Sequence, residues 1–77
     1  MNNDRIEEPK RPYRIWHEEK KRDLPGRYYV YPRNAHNAAM AEVRWARVGQ
    51  TLAVWDVRTG RVLGQYTRKL HTISWRR

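Results

Sequence analysis

The chain has 77 residues, a net charge of +9 and no cysteine. This length allows one small domain, and the lack of cysteine excludes disulfides, Cys-bound zinc and a Cys nucleophile. A membrane-spanning helix needs about 18 apolar residues, and no apolar run in the sequence approaches that length. The polar N-terminus lacks the apolar core of a signal peptide. The composition therefore predicts a cytoplasmic protein without membrane contact.

The positive charge is unevenly distributed along the chain. Residues 28–77 contain nine basic and two acidic residues, whereas residues 1–27 contain eight and six. Of the 17 basic residues 13 are Arg, whose planar guanidinium matches phosphate and carboxylate groups and stacks on flat rings. A genome rich in G and C would give the same preference for Arg, so the interpretation depends on the charge asymmetry.

The first residues have the composition of a disordered segment. Residues 1–11 are polar, mixed in charge and interrupted by Pro9, so they cannot bury enough apolar surface to offset the entropy of ordering. We expect a disordered basic and acidic tail over residues 1–11. Residues 12–77 are then a single small α+β domain.

Two strands are predicted before the centre of the chain. The alternation in "PYRIWHE" places Tyr13, Ile15 and His17 on one face of a strand. The stretch "EKKRDLPG" is interpreted as a charged loop closed by a Pro-Gly turn. The aromatic and β-branched stretch "RYYVYP" predicts a second strand, with Tyr29 and Tyr31 facing the core.

The stretch "NAHNAAMAEVRWARVG" predicts a helix over residues 34–48. Asn34 or Asn37 is suited to cap its N-terminus, and Gly49 to adopt the left-handed conformation after its C-terminus. The alternative interpretation is a strand over "EVRWARV", in which apolar residues also alternate. In the helix, small apolar residues form one stripe and Trp45 lies on the opposite side, where it is exposed.

The stretch "VWDVRTGRVLGQY" predicts a hairpin. A type I turn over residues 57–60 with Gly60 left-handed fits a short loop with a bulge, and the Asp56 carboxylate can accept from the turn amides. The expected register pairs Val57 with Arg61, Trp55 with Leu63, and Leu52 with Tyr66. The face expected to receive the helix carries Leu52, Val54, Val62 and Tyr66.

The predicted elements combine into one fold class. We expect an α+β fold with a small antiparallel sheet of three to five strands, one helix packed on one face, the order β-β-α-β-β and a flexible N-terminus. The tail "KLHTISWRR" also alternates, and is either a last strand or an extension that docks only on a partner. The uncovered face of the sheet would display aromatic and Arg residues.

Two stretches resemble parts of a known family. "RDLPGRYYVY" and "VWDVRTGRVLGQY" resemble the small three-stranded arm-site DNA-binding domains found at the N-terminus of some phage integrases. The resemblance implies an Arg-rich sheet that enters the major groove of DNA. The helix predicted over residues 34–48 departs from the order of elements in those domains.

The sequence does not favour a catalytic or metal site. The histidines His17, His36 and His71 match no local ligand spacing. Of the acidic residues, Glu18, Glu19 and Asp23 lie in a charged loop and Asp56 lies at the hairpin turn. A small RNase that uses His with Arg and Tyr is the enzymatic alternative. We expect no catalytic residue, no metal and no cofactor.

A small basic nucleic-acid-binding protein, of phage or mobile-element origin, is the predicted function. Arg and Lys would neutralise phosphates of DNA or RNA while aromatic rings stack on unpaired bases. The predicted binding residues are Arg27, Arg33, Arg44, Trp45, Arg47, Trp55, Arg58, Arg61, Arg68 and Lys69. The alternative is an inhibitor or adaptor that docks on an acidic surface of a host protein. Either function is compatible with a homodimer.

Overall fold

The computed structural model of this protein describes residues 10–69 and 73–76. Its elements are β1 (Tyr13–His17), β2 (Arg22–Tyr29), α1 (Pro32–Val43), β3 (Thr51–Asp56), β4 (Arg61–Arg68) and β5 (Ile73–Arg76). The strands form one antiparallel sheet in the order β2-β1-β3-β4-β5. The predicted α+β fold is confirmed, with the helix between the second and third strands and the tail forming a fifth strand.

Most of the predicted disordered tail, residues 1–9, lies outside the described residues. Lys10 and Arg11, the last residues of that segment, are exposed. In the part of the chain that the structure describes, no helix is long and apolar enough to cross a membrane.

The core lies between α1 and one face of the sheet. The residues that form it are at most 2% exposed and are Ile15, Leu52, Val54 and Tyr66 from the sheet and Ala35, Ala39 and Val43 from the helix. Two of the three helical residues are alanines, which allow the helix to lie close to the sheet. This places the large side chains of β1, β3 and β4 directly beneath α1, as the alternation predicts.

The first hairpin differs from the prediction. Its turn lies at residues 18–21, and β2 continues through Leu24, Pro25 and Gly26, so the predicted Pro-Gly turn is wrong. β2 is one of the two outer strands, where a missing amide hydrogen interrupts no internal ladder. Gly26 has φ +75°, and the pairing with β1 shifts register between Arg14 and Trp16.

The helix begins earlier and ends earlier than predicted. Tyr31 is the N-cap residue without a side-chain cap hydrogen bond, and Pro32 occupies the first turn, where its missing amide hydrogen costs nothing. Asn34 therefore lies within the helix, and the alternative of a strand over "EVRWARV" is wrong. Tyr31 is 64% exposed, which corrects its assignment to the core. Gly49 has φ +95° in the turn before β3.

The second hairpin follows the prediction except near its turn. Leu52 pairs with Tyr66 as expected. Trp55 pairs with Val62 rather than Leu63, and Arg61 pairs with Asp56 rather than Val57. A bulge beside Trp55 causes this shift of one residue, and a one-residue shift moves a side chain to the other face. Val62 is accordingly 54% exposed and does not face the helix.

The sheet face opposite α1 is not covered by the described residues. Trp16, Ala53, Trp55 and Val62 line a shallow apolar cavity of about 260 Å³ on this face. The indole Nε1 of Trp55 donates a hydrogen bond of 2.7 Å to Asp23 Oδ1. We call this surface the uncovered sheet face.

Candidate nucleic-acid interface

All five carboxylates of the described residues have a partner. The contacts are Glu18 with Lys21 Nζ at 2.9 Å, Glu19 with the Thr51 amide at 3.1 Å, Asp23 with Trp55 Nε1 at 2.7 Å, Glu42 with Arg27 at 2.5 Å, and Asp56 with Arg58 at 2.9 Å. The contact with Lys21 lowers the pKa of Glu18. Residues 10–69 contain fourteen basic residues, so the acidic side chains neutralise only a few of them.

Asp56 is a structural anchor of the second hairpin. Its Oδ1 accepts from the Arg58 amide at 2.9 Å, and Arg58 Nη2 donates to Oδ2 at 2.9 Å and to the Tyr13 hydroxyl at 3.0 Å. These hydrogen bonds from Arg58 hold the pKa of Asp56 below its ordinary value of 3.8 and raise the pKa of the guanidinium. The Arg58 guanidinium therefore contacts Asp56 and Tyr13 within the domain.

The chain leaves α1 in a tight turn that is tied to the end of β4. The Trp45 and Ala46 amides donate to the Glu42 and Val43 carbonyls at 3.0 and 3.1 Å. The Arg68 guanidinium donates to the Arg44 carbonyl. This satisfies a carbonyl at the helix C-terminus, where positive charge also compensates the helix dipole. The turn holds Trp45 outward, with 86% of its surface exposed.

Cationic side chains surround this exposed indole. Lys20, Trp45 and Arg47 line one cleft of about 480 Å³, and Arg44 and Trp45 line an adjoining cavity of about 430 Å³. We call Lys20, Arg44, Trp45, Arg47 and Arg68 the helix-end basic surface. None of its four cations forms an ion pair within residues 10–69. Glu42, which also lines the cleft, is paired with Arg27.

The structure divides the ten predicted binding residues among several surfaces. Arg44, Trp45, Arg47 and Arg68 come together at the helix end, and Lys69 follows directly. Arg33 lies in the first turn of α1 and Arg61 at the start of β4, both at the opposite end of the domain. The remaining three predicted residues are Arg27, paired with Glu42, Arg58, paired with Asp56, and Trp55, on the uncovered sheet face.

Lys20 belongs to this surface but was not among the predicted residues. The turn of the first hairpin carries it, and the Glu18 amide donates to the Thr51 carbonyl at 3.0 Å, which fixes that turn beside the start of β3. The cluster of charges in "EKKRD" is the sequence signal for this turn. Only the pairing of β1 with β3 brings it next to the helix end.

The histidines take different positions. His17 is 5% exposed and lines the cleft, whereas His36 Nδ1 lies 2.6 Å from the Tyr66 hydroxyl. His71 lies outside the described residues. Among residues 10–69 and 73–76, no three His, Cys, Asp or Glu side chains lie close enough together to hold a metal ion.

Comparison of the chain with protein-family models, with curated proteins and with solved structures finds no match. The geometry and charge of the helix-end basic surface are therefore the guide to its ligand. That surface combines unpaired cations with an indole that contributes little to the core.

Proposed function

We propose that this protein binds nucleic acid through the helix-end basic surface. Lys20, Arg44 and Arg47 contact phosphates together with Arg68, and Trp45 stacks on an unpaired base. The observation that carries the proposal is an indole that is 86% exposed, with the cations Lys20, Arg44 and Arg47 lining the same cavities without carboxylate partners. Arg68 is held beside them by its hydrogen bond to the Arg44 carbonyl. A cytoplasmic location is part of the proposal.

Phosphate is the ligand group that this chemistry favours. Arg offers two parallel donors to phosphate oxygens, and each neutralised phosphate releases condensed counterions, which makes binding favourable at low salt. Stacking of a base on an aromatic ring contributes about 1–3 kcal/mol and tolerates any base. A surface of this kind therefore binds many sequences, with unpaired bases preferred.

The proposal is tested by fluorescence anisotropy with labelled single-stranded and duplex DNA and RNA of mixed sequence at 50 mM salt. We expect the double variant Arg44→Glu with Arg47→Glu to lose at least about 10-fold in affinity, because two phosphate contacts become repulsive. The matched control is Arg33→Glu with Arg61→Glu, which makes the same change of charge at the other end of the domain and should retain affinity within about 3-fold.

Two results would overturn the proposal. The first is the absence of binding to all four probes at 50 mM salt. The second is an equal loss in the two double variants, because attraction would then follow the net charge of +9 rather than this surface.

A second candidate function, docking on an acidic protein surface, is favoured by one observation. Met40 is 43% exposed and lines the cavity of about 430 Å³ together with Arg44 and Trp45, and aromatic, Arg and Met side chains are enriched at protein interfaces. If a protein partner survives nuclease treatment and is lost on Met40→Ala, while oligonucleotides do not bind, this candidate replaces the first. Met40→Ala should leave oligonucleotide affinity unchanged.

A further inference from the structure

The cleft beside the helix end has the walls of a small-ligand site. It lies between the turn of the first hairpin, the end of α1 and the start of β3, and its volume is about 480 Å³, which is within the range of ligand sites. Leu24, Ala46 and Leu52 provide an apolar wall. Lys20 and Arg47 border the same space, so a ligand with a flat apolar body and an anionic group fits its composition.

A buried histidine is among the residues that line the cleft. His17 Nδ1 accepts a hydrogen bond of 3.2 Å from the Lys20 amide, so in the neutral ring Nε2 carries the proton. Within the described residues Nε2 has no hydrogen bond, and the side chain is 7% exposed. His17 Nε2 is therefore a hydrogen-bond donor for an acceptor atom of a ligand in the cleft.

Gln50 supplies a second donor. Its Oε1 accepts from the Arg47 amide at 3.0 Å, which leaves the NH₂ group of the same side chain as the donor available to a ligand in the cleft. Carbonyl oxygens and ring nitrogens of nucleobases are acceptors that match two such donors. The only carboxylate among the cleft residues, Glu42, is held by Arg27.

We infer that this cleft holds one unpaired nucleotide, with its base against the apolar wall and its phosphate at Lys20 and Arg47. The inference rests on the proposed function and specifies it, because a base inside a duplex is stacked and paired and cannot enter a cleft without being flipped out. The protein then prefers single-stranded over double-stranded nucleic acid of equal length.

The wild-type protein provides the first test. Anisotropy titration compares a single strand of mixed sequence, the same strand with several abasic positions, and the duplex, all at one salt concentration. We expect the abasic strand and the duplex to bind about 10-fold more weakly than the intact strand. In ¹⁵N-resolved NMR, adenosine or uridine monophosphate should shift the amide signals of Lys20, Arg47 and Gln50, and ribose 5-phosphate should shift them less.

A matched pair of variants tests whether the preference for single strands arises in this cleft. Gln50→Glu keeps an oxygen that accepts from the Arg47 amide but removes the donor and adds a negative charge. Gln65→Glu makes the same change on the uncovered sheet face. We expect Gln50→Glu to reduce the preference for single strands to the part that stacking on Trp45 supplies, and Gln65→Glu to preserve it in full, with circular dichroism confirming that both variants fold.

The outcomes separate this inference from the proposed function. Equal binding of intact, abasic and duplex probes overturns the nucleotide cleft and the stacking role of Trp45, and leaves phosphate binding by the helix-end basic surface in place. Should no probe bind at 50 mM salt, both proposals fail together. If Gln50→Glu does not fold, the NMR comparison of a nucleoside monophosphate with ribose 5-phosphate in the wild-type protein still decides whether a base enters the cleft.

Discussion

Single side chains divide into those that hold the fold and those that remain available to a ligand. Asp56 belongs to the first group, and its place in the turn could be predicted from "WDVRTG". Trp45 belongs to the second group. It is exposed as predicted, but α1 ends at Val43, so the turn after the helix and not a helical face holds the indole outward. The part played by Lys20 could not be predicted, because it depends on strands that are distant in sequence and come together only in the sheet.

We expect Asp56→Ala to lower the urea midpoint of unfolding more than Asp56→Asn. Asn keeps an oxygen that accepts from the Arg58 amide, whereas Ala leaves that amide without its acceptor. The measurement is equilibrium urea unfolding followed by tryptophan fluorescence. Midpoints of both variants equal to that of the wild-type protein would show that the carboxylate has no role in the turn.

Asp56 also gives the domain a dependence on pH. Because Arg58 lowers the pKa of the folded-state carboxyl, its contribution to stability is fully present above the unfolded value of about 3.8 and is lost as the pH falls through the lower folded value. We expect the wild-type protein to lose more of its thermal stability than Asp56→Asn between pH 5 and pH 2. Parallel losses would contradict this linkage.

Trp45→Ala should separate stability from binding. Since the indole is 86% exposed, we expect the free energy of unfolding to change by less than about 0.5 kcal/mol. The affinity for single strands should fall by about 1–3 kcal/mol, the value of one stacked base. Urea unfolding and anisotropy measure the two quantities, and a loss of stability without a loss of affinity contradicts the role assigned to Trp45.

The alternation of apolar residues predicts the strands of this sheet better than the Pro and Gly signals predict its turns. The residues beneath α1 follow from alternation in β1 and β3. The stretch "DLPG" misleads because Pro25 and Gly26 are typical of turns, yet an edge strand accepts both. The sequence predicts too late a start for α1, because Asn34 is a favourable cap residue. In the structure Pro32 occupies the first turn instead, which is a common position for Pro.

The bulge in the second hairpin gives a direct test of its register. We expect Val54→Ala, at a fully buried position, to cost about 2–3 kcal/mol through lost burial and a cavity. Val62→Ala, the same change on the uncovered sheet face, should cost less than about 0.5 kcal/mol. If urea unfolding shows the same loss of free energy in the two variants, the register without the bulge, in which both valines face the helix, is correct.

The position of the cationic side chains in the domain decides which surface can bind an anionic ligand. The sequence predicts a positive domain, but its cations lie at both ends of the sheet rather than on one surface. Lys20, Arg44, Arg47 and Arg68 form one group, and Arg33 lies far from it. A linear sequence contains the number of charges, whereas their grouping follows from the direction in which α1 crosses the sheet.

Four phosphate contacts predict a definite salt dependence. For single strands the log–log slope of affinity against salt should be near −3, which corresponds to about a 50-fold loss between 50 and 200 mM. In Arg44→Glu with Arg47→Glu the slope should become shallower by about half. Anisotropy at several salt concentrations measures both, and an unchanged slope in the double variant would place the contacts elsewhere.

The irregular backbone of β2 has a consequence for self-association. An outer strand exposes amide and carbonyl groups that recruit further chains and seed fibrils. Pro25 offers no amide hydrogen, and Gly26 at φ +75° bends the strand out of register. The β2 edge of the sheet is therefore a poor template for fibril growth, and of the two outer strands β5 is the one that contains neither Pro nor Gly.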